Sequence, residues 1–326
     1  MDFLYTAFGQ FLYFIYKTMA FQNYGVAIII FTVIIKLVLL PLTIKSLKST
    51  NKMSSLAPEV EKIKQKYKND QEKQNQEIQK LYKENNVSCA GGCLPMLLQF
   101  PILIGLYTVL RSPLSYMLGK SWVQIANIAN KLLVDLGIDK ALDIPTITAG
   151  TLNSVKVVNQ LNIMNLLNHS PEKLASVSEY ISSSELINLN FLGLNLGITP
   201  SYIPSVIFGP EMSTYLPVLI LPIIAVGLTV YSTILTKRKT AQTQPVKKDP
   251  NKKDPTAGMN SMMLYMLPLM TLYFSFIMPA SMSLYWIITY AFQIGQQLLT
   301  NKMQDKEKAD KDKKLEIETT KEGDKK

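Results

Sequence analysis

Long apolar stretches alternate along this chain with polar stretches that are rich in lysine. A helix needs roughly 20 apolar residues to cross a bilayer core of about 30 Å. Five stretches have about that length and character: residues 24–42, 94–111, 215–235, 261–278 and 283–300. Only Pro279-Ala280-Ser281-Met282 separates the last two, which predicts a tight hairpin. The pattern predicts an all-α polytopic membrane protein with five transmembrane helices.

The polar segment 43–93, between the first two predicted spans, has the periodicity of helices. Its apolar residues step by three and four, which draws one stripe along a helix: Met53, Leu56, Val60, Ile63 and Tyr67. Asn69-Asp70 interrupts the stripe, and a weaker stripe follows. We expect two antiparallel helices joined by a short turn, forming a hairpin in the cytosol. A solvated charged loop is the alternative.

Residues 1–20 and 112–214 flank the first two spans. The aromatic residues of 1–20 and a stripe of polar residues favour an uncleaved amphipathic helix in the outer interface over a signal remnant. In the extracytoplasmic segment 112–214, apolar periodicity over 122–136 and 155–167 predicts short helices packed as a small cap. The insert 120–185 carries no pattern that assigns it a function.

The composition supports a membrane protein and argues against several other classes. Hydrophobic residues make up 48% of the chain and charged residues 18%, with a mean hydropathy of +0.13. The single histidine, His169, and the two cysteines argue against a zinc enzyme, a disulfide scaffold and a Ser-His-Asp hydrolase. Cys89 and Cys93 make a poor metal site by themselves. We expect no metal, no cofactor and no enzymatic activity.

Positive charges indicate the orientation. Ten lysines lie in 43–93, seven Lys or Arg lie in the basic loop 236–260, and nine lysines lie in the tail 301–326. Five spans place these segments on one face, and cytoplasmic loops carry the positive excess. We expect the N-terminus outside and the C-terminus in the cytosol. The tail also carries eight acidic residues and few apolar ones, so we expect it to be disordered.

Basic segments beside the inner leaflet attract anionic lipid or RNA. The determination of topology explains the same charges equally well. No pattern points to DNA as a partner.

Lys36 lies near the middle of the first predicted span. A charge at that depth costs about 2.5–3.5 kcal/mol on insertion scales, and no predicted span contains an Asp or Glu. We therefore expect Lys36 to face a hydrated cavity. The candidate lining residues are Gln99, Thr229, Ser232, Ser275, Trp286 and Gln293, and Thr271 and Gln296 extend the polar set. Interhelical hydrogen bonds are the alternative explanation for the polar side chains.

Three runs of sequence resemble the YidC family of membrane protein insertases. The first begins at Lys36 and continues as LVLLPLTIKSLKSTNKM and then LAPEVEKIKQKYKND. The second is LYKENNVSCAGGCLPMLLQFPILIGLY, and the third is MLPLMTLYFSFIMPASMSLYWIITYAFQIGQQ. The resemblance covers residues 24–111 and 190–303. The lack of a large domain before the first span resembles the Gram-positive form.

This resemblance implies a hydrophilic groove that is open to the cytosol and lipid and closed on the outside. A positive charge in the groove attracts the acidic or polar N-terminal segment of a substrate. Position 36 matches that charge, with lysine where the family usually has arginine. The implied location is the bacterial plasma membrane. The implied partners are nascent membrane proteins, received by the hairpin 43–93, with the Sec translocon and ribosome as candidates.

Two other functions suit part of the pattern. A small-molecule or ion transporter also uses an intramembrane charge and broken helices, but it usually has internal repeats, which are not visible here. A scaffold for membrane complexes would use Lys36 for stability alone. Substituting Lys36 separates a scaffold, which would lose abundance, from an insertase, which would lose acidic-flanked substrates.

Overall fold

Helices make up most of the structure. A computed structural model describes residues 2–87, 89–134, 159–243 and 266–323. The helices of the first half are α1 Asp2–Thr18, α2 Tyr24–Ser55, α3 Ala57–Lys66, α4 Gln71–Glu84, α5 Cys89–Arg111, α6 Pro113–Tyr116 and α7 Trp122–Val134. Those of the second half are α8 Gln160–His169, α9 Pro171–Ser176, α10 Pro204–Ile207, α11 Met212–Val218, α12 Ile220–Thr243, α13 Met266–Ser275 and α14 Ala280–Gly323.

A short antiparallel hairpin departs from the all-helical prediction. Its strands are β1 Asn190–Phe191 and β2 Leu194–Asn195, and Asn190 pairs with Asn195. Two-residue strands are too short to show the alternation of polar and apolar residues by which a strand is recognised in a sequence. One turn of 3-10 helix, Ser183–Glu185, lies just before the hairpin.

The chain divides into two compact units. Unit 1 contains Met1–Ile35, Leu98–Val230 and Met259–Thr289. Unit 2 contains Lys36–Leu97, Tyr231–Gly258 and Tyr290–Lys326. Helices α2, α5, α12 and α14 contribute residues to both units.

In unit 1, α1 packs closely against α6. Gly9 of α1 lies against the backbone carbonyl of Tyr116, so closely that no side chain fits there. The amide Nε2 of Gln10 donates a hydrogen bond to the same carbonyl over 3.3 Å. Leu12, Ile15 and Tyr16 form the buried face of α1. Helix α1 lies within the predicted range 1–20, and the interfacial placement of this range remains a prediction.

The segment predicted as a cap contains α7 and α8 in unit 1. These helices confirm the predicted helices in 122–136 and 155–167, although residues 135–158 lie outside the described ranges. Helix α8 begins where it does because the Asn159 side chain accepts a hydrogen bond from the backbone N–H of Asn162. Gln160 then joins α8 to α6 through hydrogen bonds with Ser115 at 3.1 and 2.8 Å.

Residues that follow the β-hairpin accept hydrogen bonds from the first residues of α14. The backbone N–H of Ala280 donates to the carbonyl of Ile198 over 2.8 Å, and that of Ser281 donates to Leu196 over 3.0 Å. The first N–H groups of a helix have no partner within the helix. The chain that follows the β-hairpin therefore satisfies two donors at the start of α14.

In unit 2, α2 continues thirteen residues past the predicted span end at 42, to Ser55. It ends beside Pro58, which lies at the start of α3 and has no N–H to continue the helical hydrogen bonding. The stripe predicted on one helix is therefore broken at Leu56. Helices α3 and α4 form the expected pair, since Gln74 Nε2 donates to the carbonyls of Lys64 and Tyr67.

The third predicted span, 215–235, is divided between α11 and α12 at Leu219. Pro217 lies inside α11, and Pro222 lies in the first turn of α12. Because Pro222 has no N–H, the carbonyl four residues earlier receives no helical hydrogen bond from it. The two prolines explain why one apolar stretch forms two helices.

The sequence predicts a disordered tail from residue 301, whereas the structure describes residues 301–323 as part of α14. Helix α14 runs without a break from Ala280 to Gly323. Between residues 301 and 322 the sequence contains no glycine or proline, and it mixes lysines with acids at helical spacing. Such residues have good helix propensity and stabilise a helix through pairs three and four residues apart.

Two helical stretches are long and apolar enough to cross a membrane within the described ranges. They are Tyr24–Thr50 and Met212–Thr236, and a shorter apolar helix runs over Met266–Ser275. Helices α5 and α14 cover the predicted spans 94–111 and 283–300. The arrangement of five spans remains a prediction. Part of the loop 236–260 and the start of the span 261–278 lie outside the described residues.

Candidate functional site

Lys36 lies about midway along the membrane-length part of α2. Twelve residues separate it from Tyr24, which at 1.5 Å per residue is roughly 18 Å along the helix axis. Its side chain is half-buried, whereas the neighbouring Leu37 and Val38 are exposed. The lysine therefore lies at the edge between a packed face and an exposed apolar face of α2.

The face of α2 that carries Lys36 also carries hydroxyl side chains. Seven residues make two helical turns, so Thr43 lies on the same face as Lys36. Ser46 and Thr50 follow, and the Thr50 hydroxyl donates to the Ser46 carbonyl over 3.0 Å. Ser46 is buried, and Thr43 is half-buried. In unit 2, α2 thus carries a stripe of hydroxyl side chains on the C-terminal side of Lys36.

Two adjacent glutamines of α14 bind the neighbouring helices of unit 2. Gln296 Nε2 donates to the Thr43 hydroxyl on α2 over 3.1 Å. Gln297 Nε2 donates to the Thr236 hydroxyl on α12 over 3.0 Å. Both glutamines are buried. Interhelical hydrogen bonds, the alternative that the sequence left open, are therefore present in this unit.

Two further candidates, Ser232 and Gln293, also belong to unit 2. Ser232 is buried, and its carbonyl accepts a hydrogen bond from the Thr236 hydroxyl over 3.0 Å. Gln293, three residues before Gln296 on α14, is exposed.

In unit 1, most candidate side chains bond to protein groups. The Gln99 amide donates to the Tyr285 hydroxyl, which joins α5 to α14. The hydroxyls of Thr229 and Ser275 donate to carbonyls one turn earlier in their own helices, at 2.7 Å each. Thr229, Ser275 and Trp286 are all buried. That these residues line a groove is a proposal.

Three buried hydroxyls at the start of α14 have no hydrogen-bond partner in the described part of unit 1. They belong to Ser281, Ser283 and Thr289. Ser281, Tyr285 and Thr289 are four residues apart and therefore share one face of α14. Buried hydroxyls are usually hydrogen-bonded to protein or to ordered water. This face is therefore a candidate for hydration.

Spacing of four residues is a further signal in the sequence of α14. Polar residues recur at 281, 285, 289, 293 and 297 through an otherwise apolar stretch of α14. Only Gln293 was selected from this series. Thr43 and Thr236, which accept the glutamine hydrogen bonds, were also missed, because they lie at or beyond the ends of the predicted spans.

The candidate residues of the helical hairpin belong to unit 2, and most of them are only partly buried. Neither α3 nor α4 contains a buried residue. Leu56, just before α3, is buried, whereas Val60, Ile63 and Tyr67 are half-buried, as is Met53 on α2. Lys66 and Lys73 lie over the Tyr67 ring, at 5.3 and 5.5 Å from its centroid. Partly exposed apolar side chains beside lysines are available for contact with another molecule.

Across the ranges that the structure describes, no group of three or more His, Cys, Asp or Glu side chains comes together. The side chains of Cys89 and Cys93, the two cysteines of the chain, are not among the side chains that the structure describes.

Comparison with known proteins identifies related sequences. A family profile described as "60Kd inner membrane protein" matches residues 14–308. "Membrane protein insertase YidC" from Clostridium tetani is 49% identical over 112 residues, 34% of this chain and 50% of that protein. The protein of the same name from Fusobacterium nucleatum is 49% identical over 114 residues, 34% of this chain and 56% of that protein. The matched segments thus span about half the length of these two relatives.

Proposed function

Because the chain belongs to the 60Kd inner membrane protein family, we propose that it inserts nascent membrane proteins into the bacterial plasma membrane. Its relatives carry the name membrane protein insertase. The proposal assigns it no covalent chemistry, as expected of an insertase rather than an enzyme. The observation that carries the proposal is the half-buried Lys36 in the middle of an apolar span.

We propose that Lys36 acts in a hydrated groove. A lysine at mid-span is costly unless water or polar groups surround it. The hydroxyl stripe on its own helix face, with Thr43 bound to Gln296, supports a polar environment in unit 2. The buried hydroxyls of Ser281 and Thr289 support hydration in unit 1. Gln99, Thr229, Ser232, Ser275, Trp286 and Gln293 are the proposed lining residues.

The proposed substrate is a hydrophobic segment with a short acidic or polar flank. In a low-dielectric setting a lysine ammonium attracts such a flank more strongly than it does in water. The apolar part would move along exposed apolar side chains of the third and fifth spans. Examples are Ile220, Ile223, Ile224, Ile234, Leu298 and Leu299. Burial of apolar surface in lipid, at about 25 cal/mol per Å², then favours release into the bilayer.

The hairpin of α3 and α4 is proposed to receive the substrate first. Its half-buried Val60, Ile63 and Tyr67 offer apolar contacts without disturbing a buried core. The proposed orientation has the N-terminus outside and the C-terminus in the cytosol, which places this hairpin on the ribosome side. The ribosome, the Sec translocon and anionic lipid are the proposed further partners.

Complementation tests the proposed function. A bacterium is depleted of its own insertase, and this chain is expressed from a plasmid. A small membrane protein with an acidic flank is labelled, and protease added outside the cell reports whether the flank has crossed. We expect the flank to be digested when the chain is present. Intact flanks, with the chain folded and in the membrane, would overturn the proposal.

A further inference from the structure

The β-hairpin of unit 1 has an unusual residue at its tip. Leu192 and Gly193 form the two-residue connection between β1 and β2, with φ angles of 52° and 80°. Positive φ at both positions is the pattern of a type I′ turn, which strongly prefers Asn-Gly or Asp-Gly. Leucine tolerates this conformation poorly. The hairpin therefore carries a conformational cost that asparagine would largely avoid.

Packing against the described residues does not account for this leucine. The Leu192 side chain is 85% exposed. The preceding residue, Phe191, makes the packing contact of the hairpin, since its ring lies directly against the backbone of Gly25. Leu192 therefore extends away from the protein.

Phe21, in the turn between α1 and α2, also combines a positive φ angle with an exposed apolar side chain. Its φ angle is 51°, and its side chain is 94% exposed. The turn is closed by backbone hydrogen bonds from Ala20 to Ile15 at 2.9 Å and from Gln22 to Tyr16 at 3.1 Å. Left-handed positions at the end of a helix are usually filled by glycine or asparagine. A bulky aromatic residue there again carries a cost without a packing gain.

Both tips belong to the same end of α2. The Asn23 side chain donates to the carbonyl of Asn190 over 3.3 Å, and Phe191 packs on Gly25. The membrane-length apolar stretch begins at Tyr24, between these two contact points. Phe21 precedes that stretch by three residues, and the hairpin is bound to its first turn. Continuity with the span places both tips at the membrane surface.

We propose that Phe21 and Leu192 form a lipid anchor that inserts into the leaflet at the N-terminal end of α2. Exposed apolar side chains held on rigid turns gain free energy when acyl chains cover them. Strained backbone that persists without an internal benefit often marks a functional contact. The anchor goes beyond the proposed insertase activity, and it depends neither on that activity nor on which leaflet faces the cytosol.

Spin-label accessibility tests the anchor in the full chain, reconstituted in phosphatidylcholine/phosphatidylglycerol vesicles. Cys89→Ser and Cys93→Ser remove the native thiols, and single labels are attached through Phe21→Cys, Leu192→Cys or the control Glu172→Cys. Glu172 is an exposed charged residue of α9. Labels at 21 and 192 should collide severalfold more often with oxygen, which concentrates in lipid, than with a water-soluble nickel chelate. The label at 172 should show the reverse.

Each other outcome overturns the anchor. Nickel accessibility like that at 172 would place the tips in water, and shielding from both reagents would indicate a protein partner instead of lipid. A second probe guards against a misfolded labelled variant: Phe21→Trp and Leu192→Trp, each with Trp122→Phe and Trp286→Phe, so that the added tryptophan is the only one in the chain. Lipids brominated near the headgroup should quench the added tryptophan, and absence of quenching in a folded variant overturns the proposal.

Discussion

The side-chain amide of Gln296 on α14 donates a hydrogen bond of 3.1 Å to the hydroxyl of Thr43 on α2. Thr43 lies two helical turns after Lys36, on the same helix face. The bond therefore connects α14 to the helix face that carries Lys36. The adjacent Gln297 bonds in the same way to Thr236 of α12.

A double-mutant cycle should detect the coupling between Thr43 and Gln296. Thr43→Val, Gln296→Leu and the double variant are compared by thermal unfolding in detergent. We expect a coupling of about 0.6 kcal/mol, the average for interhelical hydrogen bonds in membrane proteins. Thr108→Val is a matched control, because the Thr108 hydroxyl donates to the carbonyl of Ile104 in its own helix, over 2.8 Å. Strict additivity of the two single variants would show that the bond contributes nothing.

The stability of unit 1 should depend on the ionisation of Glu185. Burial of this carboxyl opposes its ionisation, but the hydrogen bond from Lys120, 2.7 Å long, and those from Ser182 outweigh burial, so the pKa is lowered. A lowered pKa in the folded state contributes stability above the ordinary value of 4.5, and this stability is lost as the pH falls through the folded-state pKa.

Melting curves between pH 3 and pH 7 measure this contribution. Glu185→Gln should lower the melting temperature at pH 7 and flatten its decline on the acid side. The exposed Glu179→Gln is the control and should leave the profile as in the original chain. An unchanged acid slope in Glu185→Gln would contradict the assignment.

Glycine substitutions should have opposite effects at different positions. Gly9→Ala should destabilise the protein by about 1–3 kcal/mol, because the added methyl group meets the backbone of Tyr116, which cannot rotate away. Gly227→Ala should stabilise it by about 0.4–1 kcal/mol, since it lies in a helix and nothing lies within 4 Å of its added Cβ. Denaturation in detergent compares the two, and equal effects would refute the close packing of α1 on α6.

The start of α4 should depend on Asp70. Its carboxylate accepts a hydrogen bond of 2.9 Å from the backbone N–H of Lys73. Asp70→Ala should lose about 1 kcal/mol of local stability, whereas Asp70→Asn retains a capping oxygen and should lose little. Hydrogen exchange of the amides at 72–75 reports the difference. Equal exchange rates in the two variants would show that the cap is unimportant.

Much of the helical framework could be predicted from the sequence. Apolar periodicity reflects which face of a helix is buried, and the distribution of lysines reflects the orientation of the chain in a membrane. The paired helices around Asn69-Asp70 and the helix at the N-terminus follow from such patterns. The division at Leu219 and the end of α2 beside Pro58 depend on prolines whose effect on the boundary was not assigned from the sequence. The tail is predicted to be disordered and is described as helical, and a charged sequence of this kind is compatible with either state.

The candidate site was predicted less completely. Lys36 is conspicuous in the sequence because it breaks an apolar run. Thr43 and Gln297 are not, since a threonine or glutamine near a span end is common, and only tertiary packing pairs them with partners. The hydroxyls of Ser281 and Thr289 become notable only through their burial. Site residues that depend on pairing between distant helices cannot be recognised from periodicity alone.

Charge reversal at position 36 tests the central claim most directly. Lys36→Arg, Lys36→Ala and Lys36→Glu are expressed at matched membrane levels, and translocation is compared for two substrates that differ only in an acidic or a lysine-containing flank. We predict that the Lys36→Arg variant retains translocation of the acidic-flank substrate. The Lys36→Ala variant should reduce that translocation about tenfold, equivalent to about 1.4 kcal/mol. Lys36→Glu should reverse the preference. Equal translocation of both substrates by the original chain and by all three variants would contradict attraction of the flank by Lys36.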